Sequence, residues 1–448
     1  MPRTANAVSP ARRVAAAVLR RVEDEGAYAD RALAGEAAHA GLDAREHAFA
    51  MALAFGAIQR RRTLDHVIAT LARRPVERLD PVVRDALRLG VLQLLYLGGV
   101  AAHAAVDQSV ELAKADGGVG FKLVNAVLRA AAREGAELIA ALDDATPERA
   151  ALLHSVPDWL ARLWWDALGA EEARALLARI NEPAEGSYRV NTLVAERAAV
   201  LDELAGRGIA ARPADDLPEG VLLDAPFDVA HDELWTSGAL AAQSRGAMHV
   251  ARLLAPRPGM RVLDLCAAPG GKTTQLAALI DDDGEVVAVE RHPGRATALE
   301  RTCERLRATC VRVETGDAAQ ARSDGPFDAV LVDPPCSGLG TLQGRPDLRW
   351  RARSEAIPEL AALQARILAA GAAALAPGGA LVYATCTISP QENEHVVAAF
   401  LAAHADFALE QTRSFLPHRD RTDGFFLARL QRAHPSDALS RGDAEEGA

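Results

Sequence analysis

The sequence predicts a multidomain protein: an all-α N-terminal domain, a small α+β linker domain and a C-terminal α/β domain built on a mostly parallel sheet. Three observations carry this. Apolar residues in the first 140 positions recur at helical spacing with few strand signals, strand-like and proline-rich pieces enter after residue 185, and beyond about residue 245 short apolar runs alternate with helical segments. At 448 residues the chain has room for about three domains. Half of it is hydrophobic, a quarter is charged and only five cysteines occur, which excludes a disordered, collagen-like or disulfide-rich protein.

Taken in order, Ser9 followed by Pro10 reads as an N-cap with proline at the first helical position, and Val14, Val18 and Val22 follow at helical spacing. Asp80 and Pro81 repeat the signal ahead of Val83, Leu87, Val91 and Leu94. Residues 89–106 are the nearest approach to a membrane span, but Gln93, Gly98, Gly99 and His103 interrupt them, so a buried helix and turn is expected and no membrane association. From Pro147 to Ile180 the helical spacing continues, with Trp159, Trp164 and Trp165 as packing residues. The stretch SYRVNTL and the proline-rich connection 212–218 then mark the linker domain. The runs RVLDL, EVVAVE, CVRVETG, FDAVLVD, ALVYATC, FALEQ and FFLARL are read as seven strands, the last two as a hairpin with an antiparallel strand. Domain limits of 1–140, 141–240 and 241–432 follow, with a disordered tail at 433–448.

The net charge of -11 argues against an unspecific nucleic-acid coat, yet it is unevenly spread. Residues 1–140 carry 19 Lys and Arg against 16 Asp and Glu, whereas the remainder carries 31 against 45, so the front third could face a polyanion. Arg60, Arg61, Arg62, Arg73, Arg74 and Arg78 concentrate around one helix end and its connection, and composition alone reads them as a solvated surface. The start MPRTANAVSPARRV lacks an apolar core of signal-peptide length, so a cytoplasmic location with reduced cysteines is expected.

The strongest local signal is VLDLCAAPGGKTTQLA at 262–277, a buried strand, a turn of small residues that lets a ligand approach the backbone, and a helix starting near Lys272. It is not a Walker A loop, because Cys266 stands where the first glycine is required, and Ala268, Pro269, Gly270 and Gly271 have the wrong spacing for GxGxxG. The next strand ends at Glu290, placed to bind ribose hydroxyls, and the third ends at Asp317 on the same rim. FDAVLVDPPCSGLG sets Asp333 at a strand end with Cys336 held just beyond Pro334 and Pro335, and YATCTISPQENE puts Cys386 at the adjacent rim. A cysteine in an apolar strand is ordinarily an inert core residue, and Cys303 and Cys310 are read so. Zinc needs ligands at spacings that are absent, so no metal is expected. A thiol beside a carboxylate suits alkylation of cytosine: thiolate attack at carbon 6 makes carbon 5 enamine-like if ring N3 is supported, and carbon 5 then takes a methyl group from a sulfonium donor.

VLDLCAAPGGKT, VDPPCSG and YATC, in this order, resemble the RNA cytosine-carbon-5 methyltransferases, and RPDLRW and DGFFLARL extend the likeness over about residues 235–430. The resemblance implies a Rossmann-like class I methyltransferase domain and S-adenosyl-L-methionine as cofactor. It places Cys266, Ala267, Ala268, Pro269, Gly270, Gly271, Lys272, Glu290, Asp317 and Asp333 around that cofactor. It further implies Cys386 as nucleophile, Cys336 as an aid to product release and Asp333 as a catalytic partner; Glu290 departs from the more usual Asp. RVNTL at 189–193 resembles the motif preceding this domain. In front, LDAREHAFAMALAFGAIQRRRTLDHVI, AAHAAVDQSVELAK and FKLVNAVLR resemble the NusB-like helical RNA-binding fold. The combination is similar to the Sun/RsmB type of bacterial small-subunit (16S) ribosomal RNA methyltransferase. It implies ribosomal RNA as partner, a monomer, and phosphate contact as a second reading of the arginine cluster. A transfer-RNA substrate, or a non-catalytic RNA-binding assembly or antitermination factor, stands as the alternative.

Overall fold

The computed structural model describes residues 8–115, 120–224, 227, 232–320, 322 and 324–434. The expected disordered tail lies, from residue 435, outside the described residues. Two compact units emerge: Met1–Pro183 with Leu342–Ala352, and Ala184–Thr341 with Arg353–Ala448.

The first unit is helical: α1 (Pro10–Asp24), α2 (Ala29–Ala40), α3 (Ala44–Gln59), α4 (Arg61–Ala72), α5 (Pro81–Leu95), α6 (Ala102–Ala115) and α7 (Phe121–Ala140) close around one apolar core. Asp80 caps α5 as its sequence signal predicts, accepting the Val82 N–H at 2.9 Å. Ser9 begins α1, but its hydroxyl accepts from Arg12 rather than from the first-turn backbone. Residues 89–106 form the end of α5, a turn and the start of α6, and no described helix is long and apolar enough to cross a membrane. Helices α8 (Pro147–Leu153), α9 (Asp158–Leu168) and α10 (Ala170–Arg179) complete the N-terminal run, with Trp164 fully buried.

The segment Leu342–Ala352, distant in sequence, belongs to this unit and covers one member of the arginine cluster, Arg61. Arg349 is fully buried, its guanidinium donating to the carbonyls of Gln59 (2.9 Å) and Ser155 (3.2 Å) and to Asn181 Oδ1 (3.0 Å). Trp350 Nε1 donates to the Ile58 carbonyl at 2.7 Å, and Arg61 stacks on the indole at 4.1 Å. Arg60 stacks on Tyr96 at 4.1 Å, and Arg62 pairs with Asp158 at 2.7 Å. Arg73, Arg74 and Arg78 remain exposed. The cluster is thus two groups, one internal and one facing solvent.

In the second unit β1 (Gly186–Val190), β2 (Ala211–Pro213), β3 (Gly220–Leu223) and β4 (Leu240–Ala242) form a small antiparallel sheet in the order β2-β3-β1-β4. The larger sheet contains β5 (Arg261–Leu265), β6 (Glu285–Glu290), β7 (Val311–Thr315), β8 (Phe327–Val332), β9 (Leu375–Thr385), β10 (Phe407–Phe415) and β11 (Phe425–Arg432) in the order β10-β11-β9-β8-β5-β6-β7. Strands β5 to β9 pair in parallel, while β11 is antiparallel to both β9 and β10, as the sequence predicts for the final hairpin. Alternate residues serve two cores, Val262, Val286, Ala288 and Leu331 on one face and Leu263, Leu265, Val287 and Val330 on the other. The strand order reverses direction between β5 and β8, so their carboxyl ends form a topological switch point, where ligands of such sheets bind.

The RVNTL motif ties the small sheet to the large one. Arg189, fully buried, donates to Gln243 Oε1 and Thr274 Oγ1 at 2.8 Å each, and Asn191 Nδ2 reaches the carbonyls of Leu306 (2.7 Å) and Gly238 (3.1 Å). Asn191→Ala leaves two buried carbonyls without their donor, so the denaturant midpoint should fall by the equivalent of about 1–3 kcal/mol with little change in slope.

Candidate active site

The loop after β5 turns at Cys266, whose φ of 68° is left-handed, and the Ala267 N–H returns to the Val289 carbonyl of β6 at 2.9 Å. Gly270, at φ 103°, has a second reason to lack a side chain: a Cβ there would stand 2.7 Å from Leu299 Cδ1. The helix Gly271–Leu279 starts immediately afterwards and carries Lys272 to the switch point. Its ammonium meets Asp333 Oδ2, from the end of β8, at 2.7 Å. Burial opposes the lysine charge, but Asp333 overcomes it and holds the ammonium above its ordinary pKa.

Along the same rim Glu290 is buried at the end of β6, where Oε1 accepts the His292 N–H at 2.9 Å. Arg295 joins it to the small-residue loop, donating to the Ala268 carbonyl at 2.8 Å and lying 3.5 Å from Glu290 Oε2. Asp317 is exposed beyond β7 and bonds the Ala319 N–H at 3.0 Å. Oriented carboxylates at three strand ends beside a loop of small residues suit a nucleoside that carries hydroxyls and a cationic group. Among the described residues no cluster of three or more His, Cys, Asp or Glu is placed to hold a metal ion.

Next to the Lys272–Asp333 pair the two predicted cysteines meet, with Cys336 Sγ 3.4 Å from Cys386 Sγ, neither in a disulfide and both partly accessible. The Cys336 thiol is pushed well above its ordinary pKa by its hydrogen bond to Cys386, by burial and by the negative charges around it. Cys266 is raised by burial and by Asp333, while Cys303 and Cys310 are pushed up to about 12, chiefly by burial. None of these three lies in a reactive setting. Sequence reasoning overlooked Arg295, and also Glu392, a fully buried acid whose only signal was its place in the polar turn SPQENE.

Comparison with known proteins finds relatives along nearly the whole chain. Residues 251–431 match the family model described as 16S rRNA methyltransferase RsmB/F, residues 9–133 the NusB family, and residues 156–230 the ferredoxin-like domain of RsmF/B-like methyltransferases. A Synechocystis relative described as "Probable ribosomal RNA small subunit methyltransferase B" is 36% identical over 94% of this chain and 99% of its own. The chain belongs to the RsmB/F family of 16S rRNA methyltransferases. A second relative in that family, ribosomal RNA small subunit methyltransferase B of Sodalis glossinidius, is 36% identical over 87% of this chain and 90% of its own. The crystal structure of PH0851 superposes with a TM-score of 0.80 at 25% identity, covering 96% of this chain and 100% of that one. Membership bears out the expected order of a helical NusB-like domain, a small α+β domain and a Rossmann-like sheet, and describes the middle one as ferredoxin-like.

Asp264, inside β5 and fully buried, is pushed up to about 7 by burial, against the opposing bond from Thr273 Oγ1 at 2.6 Å. A carboxyl whose folded pKa is raised favours the native state below its unfolded pKa, and that contribution is lost as pH rises through the folded value. Wild-type stability relative to Asp264→Asn should therefore fall by roughly 4 kcal/mol between pH 4 and pH 8. Urea titrations of both proteins at the two pH values measure it.

Proposed function

We propose that this protein uses S-adenosyl-L-methionine to methylate carbon 5 of a cytosine in small-subunit ribosomal RNA, acting as a monomer in the cytoplasm. The observation that carries the reading is the pair of thiols 3.4 Å apart beside the Lys272–Asp333 pair. The domain limits keep their meaning here: residues 1–140 for RNA binding, 141–240 as linker and 241–432 for catalysis.

Glu290 and Asp317 fit the ribose hydroxyls of that cofactor, and the backbone of Cys266 to Lys272 its amino-acid portion. When bound, the cofactor supplies an electrophilic methyl group. The chain's residues prepare the acceptor. The Cys386 thiol proton passes by way of Asp333, which the Lys272 ammonium steadies, to ring N3, Cys386 Sγ forms a bond to carbon 6, and the electrons of the 5,6 double bond move to carbon 5. After methylation a base takes the carbon 5 proton, the sulfur–carbon 6 bond breaks, the double bond returns and the N3 proton goes back to the Cys386 sulfur. Cys336 assists this release. Cys386→Ser should abolish both methylation and any covalent RNA adduct, whereas Cys336→Ser should accumulate the adduct on a denaturing gel. Adduct in the first variant and none in the second would reverse the assignment. Titration calorimetry that finds no S-adenosyl-L-methionine binding to folded protein would remove the cofactor reading, and bisulfite sequencing of ribosomal and transfer RNA from a deletion strain separates the substrates.

Of the arginine cluster, Arg73, Arg74 and Arg78 are the members exposed to meet phosphate, and Arg73 and Arg74 line a shallow hollow of about 610 Å³ together with His66, Thr70, Asp65 and Glu77. Replacing the three with Ala should weaken RNA binding and reduce its salt slope by about 0.7–0.9 for each phosphate no longer neutralised, with cofactor affinity unchanged. An unchanged slope assigns them to solvent.

A further inference from the structure

We propose that Glu392 is a positioning residue that fixes the separation of the two thiols, an inference that rests on the reading of Cys386 and Cys336 as the reacting pair. The thiols stand on different loops, one following β8 and one following β9, and within each loop the residue after the cysteine carries a hydroxyl. These hydroxyls, Ser337 Oγ and Thr387 Oγ1, lie 2.6 Å apart. Glu392 holds the junction. Its carboxylate accepts the Ser337 N–H at 2.8 Å and the Ser337 hydroxyl at 2.5 Å, and Thr387 Oγ1 stands 3.5 Å from the same oxygen as that hydroxyl. Gln364 Nε2 donates both to Glu392 Oε1 and to the Pro335 carbonyl, at 3.0 Å each, so the residue before Cys336 is fastened as well.

The other loop converges on the same place. The Tyr383 hydroxyl, on β9, donates to the Glu392 carbonyl at 2.6 Å, and Asn393 Nδ2 donates to the Thr387 carbonyl at 3.1 Å. Thr385, directly before Cys386, donates its hydroxyl to Asn393 Oδ1 at 2.5 Å. Residues on both sides of each cysteine therefore end on positions 364, 392 and 393. The carboxylate is suited to this because it only accepts and offers about four lone-pair directions, so Ser337, Thr387 and Gln364 can share it in a dry site. No reacting group needs to touch it. Glu392 acts through the loops.

The prediction separates positioning from folding. Glu392→Ala should lower kcat by about 10²-fold or more, the scale of a misplacement near 1 Å, while S-adenosyl-L-methionine affinity and the KM for RNA stay within about twofold. Glu392→Gln, which keeps a carbonyl acceptor and lets the hydroxyls reorient, should retain at least about a tenth of wild-type kcat. A second readout needs neither RNA nor methylation. Diamide, taking two electrons and two protons from the thiols, should bridge Cys336 to Cys386 quickly in the wild type and several-fold more slowly in Glu392→Ala, as followed by mass spectrometry. Wild-type kcat and bridging rate in a Glu392→Ala protein that binds cofactor would overturn the proposal. If that variant fails to bind cofactor, Ser337→Ala and Thr387→Val, each removing part of the link, take its place, and full activity in both is equally fatal. Slowed bridging in the variant, together with a wild-type protein that neither methylates RNA nor forms an adduct, would sink the functional reading and leave the positioning role standing.

Discussion

The parallel pairing of β8 with β9 is the constraint on which the site depends. Val332 stands opposite Tyr383, so the two strands run out at the same rim and both chains must turn there. The turn after β8 carries Asp333 and Cys336, and the turn after β9 carries Cys386. On the other side of β8, β5 ends in register with it, Leu265 opposite Val332, and the helix that follows brings Lys272 back to Asp333. Four functional groups from three separate stretches are thus gathered by backbone hydrogen bonds laid down well inside the sheet. That is why apolar strand residues with no chemistry of their own matter to the chemistry.

The same geometry sets the electrostatics of the Cys336 thiol. Cys336 is surrounded by groups that disfavour negative charge on it: the neighbouring Cys386, low local polarity, Glu392 and Asp333. Under the proposed mechanism two sulfur atoms 3.4 Å apart can divide the work of attack and release, because only one of them has to bond to the base. A lone cysteine in this pocket would have to do both.

Much of the catalytic unit was legible because parallel strands buried on both faces write themselves as short apolar runs, and all seven runs became strands. Residue types with rigid local meaning, such as Asp80 before Pro81 or the prolines before Cys336, were legible too. What stayed hidden depended on partners far along the chain. Nothing near Arg61 announces that Trp350 lies over its guanidinium, so a string of six arginines read as one surface. Glu392 was hidden for a similar reason. An acid in a polar turn looks solvated, and only the tertiary structure shows that Ser337, Thr387 and Gln364 have replaced the water. Ser9 illustrates the converse, a capping residue whose hydroxyl is claimed by a nearby side chain, Arg12.

The placement of Leu342–Ala352 in the helical unit bears on how the protein is made. A chain emerging from the ribosome releases its N-terminal helices first, yet the carbonyls of Ile58, Gln59 and Ser155 find their donors in Trp350 and Arg349 only after much of the catalytic sequence has been translated. The N-terminal unit is therefore discontinuous in the order of synthesis, and its last piece arrives with the strands that carry the cysteines. No single cut in the gene separates the two units cleanly: any fragment ending near residue 183 lacks the tryptophan and arginine that finish its own surface.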